Sequence, residues 1–179
     1  MSRASETLIP RQADAPQELD FSQASGDEVG ALARDRVPVR SMRRDDLDPI
    51  TAIDRHLSGR YRRAYLAQRL DEALDHSDVR VSLVAELDGL IVGFVMVRVD
   101  LGAYGEVAPV GVLDTLGVDP GFSGQGVGRA LISQLDVNLG ALRVERMRSV
   151  IAWNDTALIG FLDALGFAPA PRLALARRI

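Results

Sequence analysis

The 179 residues include no cysteine, which excludes disulfides, thiolate nucleophiles and cysteine-bound zinc. They include no lysine either, since all 21 basic residues are arginine. That second absence removes a Schiff-base lysine and the lysine on which a Walker-type phosphate loop depends. The only histidines, His56 and His76, form no H-x-x-H or HExxH spacing, so no metal site is expected. No run approaches the roughly 20 apolar residues that span a bilayer. The opening "MSRASETLIPRQADAPQ" carries no apolar segment of signal-peptide length. No membrane association is expected, and a cysteine-free chain suits the cytoplasm. A formal charge of −4 argues against a general nucleic-acid partner and fits better with a cationic small molecule or peptide.

What remains has the apolar and charged content of one ordinary globular domain. Residues 1–36 are rich in Ser, Gln, Asp, Glu, Ala and Pro without a clean period. They read as a mobile tail with a short helix around Asp27 to Arg34, and the domain as 37–179. "VPVRSM" predicts a short strand. "RRDDLDPITAIDRHL" predicts a helix with Asp45, Asp46 or Asp48 as cap, Pro49 in the first turn and Gly59 as breaker. "YRRAYLAQRLDEALDHS" predicts a second helix. "VRVSLVAEL" and "LIVGFVMVRV", joined by Asp88-Gly89, read as a hairpin.

"LGAYGEVAP" then reads as a loop and "VGVLDTLGV" as a strand ended by Asp119-Pro120. A helix follows from Val127 to Leu142, with Val127, Leu131, Leu135 and Leu139 on one face. "RVERMRSVIAW" reads as a strand, "NDTALIGFLDALGF" as a helix opened by an Asn/Asp cap and closed by Gly166, and "RLALARRI" as a last strand. The order β-α-α-β-β-β-α-β-α-β implies an α/β fold with a mixed sheet.

The glycine-dense stretch "GVDPGFSGQGVGRAL" opens the Val127 helix, where a phosphate finds unpaired N–H groups and the positive dipole end. A P-loop fails, because Gly121 and Gly126 are followed by Val127-Gly128. A dinucleotide fingerprint is weak, because the third glycine of Gly124-Gln125-Gly126-Val127-Gly128 comes one position early. Glycines at 124, 126 and 128 allow successive N–H groups to approach one pyrophosphate, with Arg129 as a charged contact or a surface residue.

"SGQGVGRALI" after "LGVDPGF" resembles the acetyl-CoA loop of the GCN5-related N-acetyltransferases, whose signature is Q/R-x-x-G-x-G/A after a strand L-x-V-x-P. The signature falls on Ser123, Gly126 and Gly128, with Ser123 in place of Gln or Arg. A register two residues on gives Gln125, Gly128 and Ala130, but the first suits the distance from Pro120 better. "WNDTALIGFLDALGF" resembles the family's second signature, and the likeness covers nearly all of 37–179.

The resemblance implies a mostly antiparallel central sheet flanked by helices, with acetyl-CoA as cosubstrate and an amine acceptor. It assigns CoA binding to Leu116, Gly117, Val118, Ser123, Gly124, Gln125, Gly126, Val127, Gly128, Arg129, Asn154 and Phe161. The strands either side of the pantetheine arm splay, and the arm pairs with backbone of Leu116, Gly117 and Val118. Gly117 inside a strand marks either a bulge or close approach, or a harmless small residue. The Val118 N–H holds the thioester oxygen. Asn154 bonds the arm or caps its helix, and Phe161 forms a wall.

Asp114 takes the place of the base, or else serves as a structural partner, with Glu106 and Glu86 as alternatives acting through water. The tyrosine that usually protonates the leaving thiolate is replaced by Leu162, leaving Tyr104 or no dedicated acid. The acceptor is expected near His56, Tyr61, Tyr65 and Tyr104, although His56 also reads as a capping or surface residue. "RLALARRI" is a candidate for homodimer pairing. The alternative to an N-acetyltransferase is a CoA-binding module of this fold with weak or lost catalysis.

Overall fold

The computed structural model describes residues 32, 36–75, 81–103, 106–172 and 175–178. The expected N-terminal tail, apart from Leu32 and Arg36, lies outside the described residues. Strands β1 (Val39–Ser41), β2 (Leu83–Leu87), β3 (Leu90–Ala103), β4 (Glu106–Val118) and β5 (Met147–Ser149) form one sheet in that spatial order. The first three pairings are antiparallel, while β4 and β5 are parallel. Parallel neighbours need a crossover, and helix α3 (Val127–Ala141) supplies it. Helices α1 (Leu47–Ser58) and α2 (Arg63–Asp75) lie between β1 and β2, and α4 (Thr156–Asp163) follows β5.

Local chemistry accounts for the corners. Asp88 and Gly89 both have positive φ, +51° and +78°, as a two-residue hairpin requires. Gly59, at φ +67°, ends α1 by donating its N–H to the Arg55 carbonyl at 2.9 Å. Strand alternation sends successive side chains to opposite faces. On one face Val95, Val97 and Leu113 meet the Val127, Leu131, Leu135 and Leu139 stripe of α3. On the other, Val84, Phe94 and Met96 meet Ile50 and Ile53 of α1 and Leu66 and Leu70 of α2. The sheet is thus buried on both faces. Gly93 sets how closely α3 approaches, because a Cβ there would lie 2.7 Å from Val127 Cγ1.

Three expectations are corrected. "LGAYGEVAP" is mostly strand, since β3 runs to Ala103 and β4 begins at Glu106, residues 104 and 105 being outside the description. The two long strands support each other through the ladder, which local turn residues could not reveal. "RVERMRSVIAW" contributes only the three residues of β5. Residues 175–178 of "RLALARRI" are in no strand, and Leu175 is fully in solvent. A last strand would need a ladder on β5, which is too short to offer one.

Candidate active site

The site is built on a fault in the β3–β4 ladder. Pairing steps from Val97↔Leu113 to Met96↔Thr115, so Asp114 has no partner on β3 and forms a β-bulge. A bulge bends its strand, strengthens its twist and re-aims a side chain. On the other side of β4, pairing with β5 ends at Leu113↔Ser149. There the Ser149 hydroxyl donates to the Leu113 carbonyl at 3.0 Å and closes the ladder. Beyond it, residues 114–118 of β4 have no strand beside them on that edge among the described residues.

The direction of the bared groups follows from alternation. Asp119 donates its N–H to the Val92 carbonyl at 2.9 Å, and Phe94 pairs with Gly117. Gly117 therefore turns its N–H and C=O to β3, while Leu116 and Val118 turn theirs to the open edge. This corrects the expectation that all three face a bound arm. Gly117 also owes its lack of a side chain to packing. A Cβ there would lie 2.7 Å from Phe94 Cε1 and 3.1 Å from Leu57 Cδ1 at the end of α1. The bulge stands at Asp114 instead.

At the end of β4 the chain turns a fixed corner. The Asp119 carboxylate accepts from the Gly121 N–H at 2.8 Å, Pro120 opens a 3-10 turn, and Phe122 packs into the α3-side core. Gly124 at φ +75° and Gly126 at φ +85° then adopt left-handed backbone. The first helical bond of α3 runs from the Ala130 N–H to the Gly126 carbonyl at 2.9 Å. The N–H groups of Val127, Gly128 and Arg129 thus have no acceptor among the described residues. Such an array can receive an anion, with the α3 dipole behind it.

Ser123 is extended and exposed, and Gln125 folds back to the Gly121 carbonyl at 3.2 Å. Arg129 is half-buried. Gly128 serves packing as well, because a Cβ would lie 2.8 Å from Phe161 Cζ. Phe161 of α4 therefore lies against the first turn of α3. The cap of α4 is Asp155, whose carboxylate accepts from the Leu158 N–H at 3.1 Å. That removes the capping role from Asn154, which is exposed in the preceding turn.

Asp114 is not isolated. Arg98 of β3 donates from Nη1 to Asp114 Oδ1 and from Nε to Asp100 at 3.0 Å. Arg148 of β5 reaches the other Asp100 oxygen at 2.8 Å. The Asp114 hydrogen bond, opposed by burial and helped by the nearby Asp100, raises the Arg98 guanidinium above its usual pKa. Arg98 therefore stays cationic at any working pH. Among the alternative bases, Glu86 is bound by Arg40 Nε at 2.8 Å beside the hairpin. It pairs with Ile91, about 17–20 Å along β3 from the bulge. Tyr104, His76 and the Glu106 side chain lie outside the described residues. Leu162, at the family's tyrosine position, is buried and carries no proton.

The acceptor candidates divide between two places. His56 and Tyr61 line a cavity on the outer side of α1 with Arg55 and Arg63. Tyr65 is flanked by the guanidiniums of Arg62 and Arg69, 5.6 and 5.5 Å from its ring centroid. Residues that motif reading missed, Arg69, Glu72 and Arg98, line a second cavity with Asp114. A signal existed in "FVMVRVDL", where Arg98 and Asp100 share one strand face and so mark where that face leaves the core.

Residues 45–167 match the acetyltransferase (GNAT) family. The chain belongs to that family. A protein named an acetyltransferase from Yersinia enterocolitica is 33% identical over 110 residues, covering 62% of this chain and 72% of its own length. Among solved structures, the aminoglycoside N-acetyltransferase AAC(6')-Iy in complex with CoA superposes with a TM-score of 0.69 at 22% identity. That match covers 79% of this chain and 94% of that one. A ribosomal-protein-alanine N-acetyltransferase from Brucella melitensis superposes at 0.63 with 19% identity, over 80% and 99% of the two chains. The GNAT fold is thereby shown.

Proposed function

We propose that this GNAT acetyltransferase moves an acetyl group from acetyl-CoA to a primary amine. One observation carries the reading: the bared edge of β4 leads directly into the anion cradle of α3, so one strand end can hold both an extended amide arm and a pyrophosphate. CoA in the complex of AAC(6')-Iy supports the choice of cosubstrate. Acetyl-CoA supplies the activated acyl group and a thiolate leaving group.

The chain's own groups divide the remaining work. The turn from Ser123 to Arg129 holds the phosphates through the N–H groups of Gly124, Gly126, Val127, Gly128 and Arg129. Those of Ser123 and Gln125 stay bonded to Pro120 and Phe122. Leu116 and Val118 pair with the amides of the arm. Phe161 and Asn154 flank the thiol end. Asp114, its orientation set by Arg98, accepts a proton from the incoming ammonium through its free Oδ2. The amine lone pair then forms the C–N bond and the C–S bond breaks. The Val118 N–H, fixed by the ladder, donates to the oxygen on which charge develops. No acid stands at position 162, so the departing thiolate takes its proton from a substitute such as Tyr104 or leaves without a dedicated protein acid. No described helix is long and apolar enough to cross a membrane, and the cytoplasm is the compartment this reading implies.

The test follows thiol release from acetyl-CoA with a panel of primary amines. Turnover above hydrolysis is expected, and Asp114→Asn is expected to lower kcat by about 10²–10⁴-fold with unchanged CoA affinity. Tight CoA binding without turnover for any amine would instead establish the alternative, a CoA-binding module with lost catalysis.

A further inference from the structure

Arg69 Nε is buried and has no hydrogen-bond partner among the described residues, where no other buried side-chain polar atom is orphaned. A donor of that kind needs an explanation, since leaving a buried polar group unmet is costly. Arg69 stands on α2 one turn beyond Tyr65, against whose ring its guanidinium lies. Its Nη1 donates to Glu72 at 2.7 Å, and the second Glu72 oxygen is taken by Gln68 at 2.9 Å. Each Glu72 oxygen thereby accepts one bond within its own helix.

The cavity that Arg69 lines holds about 220 Å³ and includes Asp114, Arg98, Met96 and the stretch of β3 at Val97 and Val99, whose side chains face α3. Its one hydroxyl, Ser82, is bound to the Val97 backbone. Arg69 Nε is itself closed to solvent, so two groups with capacity to spare remain in the cavity: the Arg69 guanidinium, of which only Nη1 is bonded, and the Asp114 oxygen that Arg98 does not hold. A ligand that answers both carries a carboxylate and an ammonium on one small body. A polycation answers Asp114 but leaves the spare Arg69 donors unmet. The volume also falls below the roughly 300 Å³ at which drug-sized pockets begin.

We infer that the acceptor of this enzyme is a small zwitterionic amine, an amino acid or a compound like it, with its carboxylate on Arg69 and its ammonium on Asp114. The inference rests on the proposed acetyl transfer at Asp114. It separates this chain's acceptor from the aminoglycosides that some of its fold neighbours are named for.

The test compares α- and ω-amino acids with their matched amino alcohols, and with an aminoglycoside, as acceptors under saturating acetyl-CoA. The best amino acid is expected to exceed its alcohol by at least about tenfold in kcat/KM, a difference of about 1.4 kcal/mol. Arg69→Met is expected to bring that ratio close to one, and Arg69→Lys to restore part of it, with the KM for acetyl-CoA unchanged in both. An alcohol or aminoglycoside used as well as the amino acid, or a ratio unmoved by Arg69→Met, overturns the inference and leaves the acetyltransferase reading standing. Calorimetric titration of the amino acids into the CoA-bound protein covers the case of no turnover. Binding that Arg69→Met abolishes then supports the zwitterion site while the transfer reading fails, and no binding overturns the site.

Discussion

Replacing Gly126 by alanine asks whether the turn before α3 is shaped for a ligand or only for the bend of the chain. Gly126 sits at φ +85°, and a Cβ there would meet nothing within 4 Å. The folding cost is therefore backbone strain alone, about 1–2 kcal/mol for an L-residue in left-handed conformation. For a domain of this length that lowers Tm by roughly 2–8 °C. Gly89 at the hairpin tip has φ +78° and equally open surroundings, so Gly89→Ala carries the same strain far from the cradle.

The two variants differ in what the strained turn supports. Gly126 is the residue that leads into the N–H groups of Val127, Gly128 and Arg129, so a turn displaced by an added methyl no longer presents them to a pyrophosphate. Loss of at least about tenfold in CoA affinity is expected, or about 1.4 kcal/mol. Gly89→Ala should leave that affinity alone. Thermal denaturation reads the strain and isothermal titration with CoA reads the binding. Equal losses of Tm with unchanged CoA affinity in both variants would refute the cradle and reduce Gly126 to a bend.

Further expectations concern the scaffold. Burial pushes the Asp46 carboxyl up, but bonds from Arg40 at 2.9 Å and from the Arg43 N–H at 2.7 Å outweigh it and hold the group below its usual value. A depressed carboxylate adds stability that is present above the unfolded pKa of about 3.9 and lost as pH falls through the folded one. Asp46→Asn should therefore lower Tm at pH 7 and do so progressively less below about pH 4; a pH-independent gap would contradict the account. Arg62 holds the buried carboxylate of Asp54, with Nε to Oδ2 at 3.0 Å, so Arg62→Met should cost about 1.5–3 kcal/mol in denaturant unfolding. A cost near zero would show that water replaces the guanidinium. Gly93→Ala drives a methyl into Val127 and should destabilise by about 1–3 kcal/mol, while an unchanged midpoint would mean that α3 shifts freely.

The periodic elements were legible because their signals are local. The apolar steps of four in α3, the Asp88-Gly89 turn and the Gly59 stop each act within one turn or one strand, so reading the residues placed them correctly. The left-handed glycine turn before α3 was legible for the same reason: glycine spacing is a property of a short segment. The strand halves at 101–109 were not, because Leu101 and Pro109 become strand only by pairing with each other across the ladder.

From the sequence alone followed the sheet with its helices, the glycine turn that opens α3 and the family resemblance, since each depends on residues near in the chain. Which backbone groups face outward was decided only by tertiary structure. A one-residue bulge reverses the alternation of everything beyond it, and the step at Asp114 is visible only against β3. The same holds for the purpose of the glycines. Gly124 and Gly126 serve backbone conformation, while Gly117 and Gly128 make room for Phe94 and Phe161, which come from other elements. The orphaned Arg69 donor depends on how α2 rests against β3, a long-range contact that no spacing along α2 encodes.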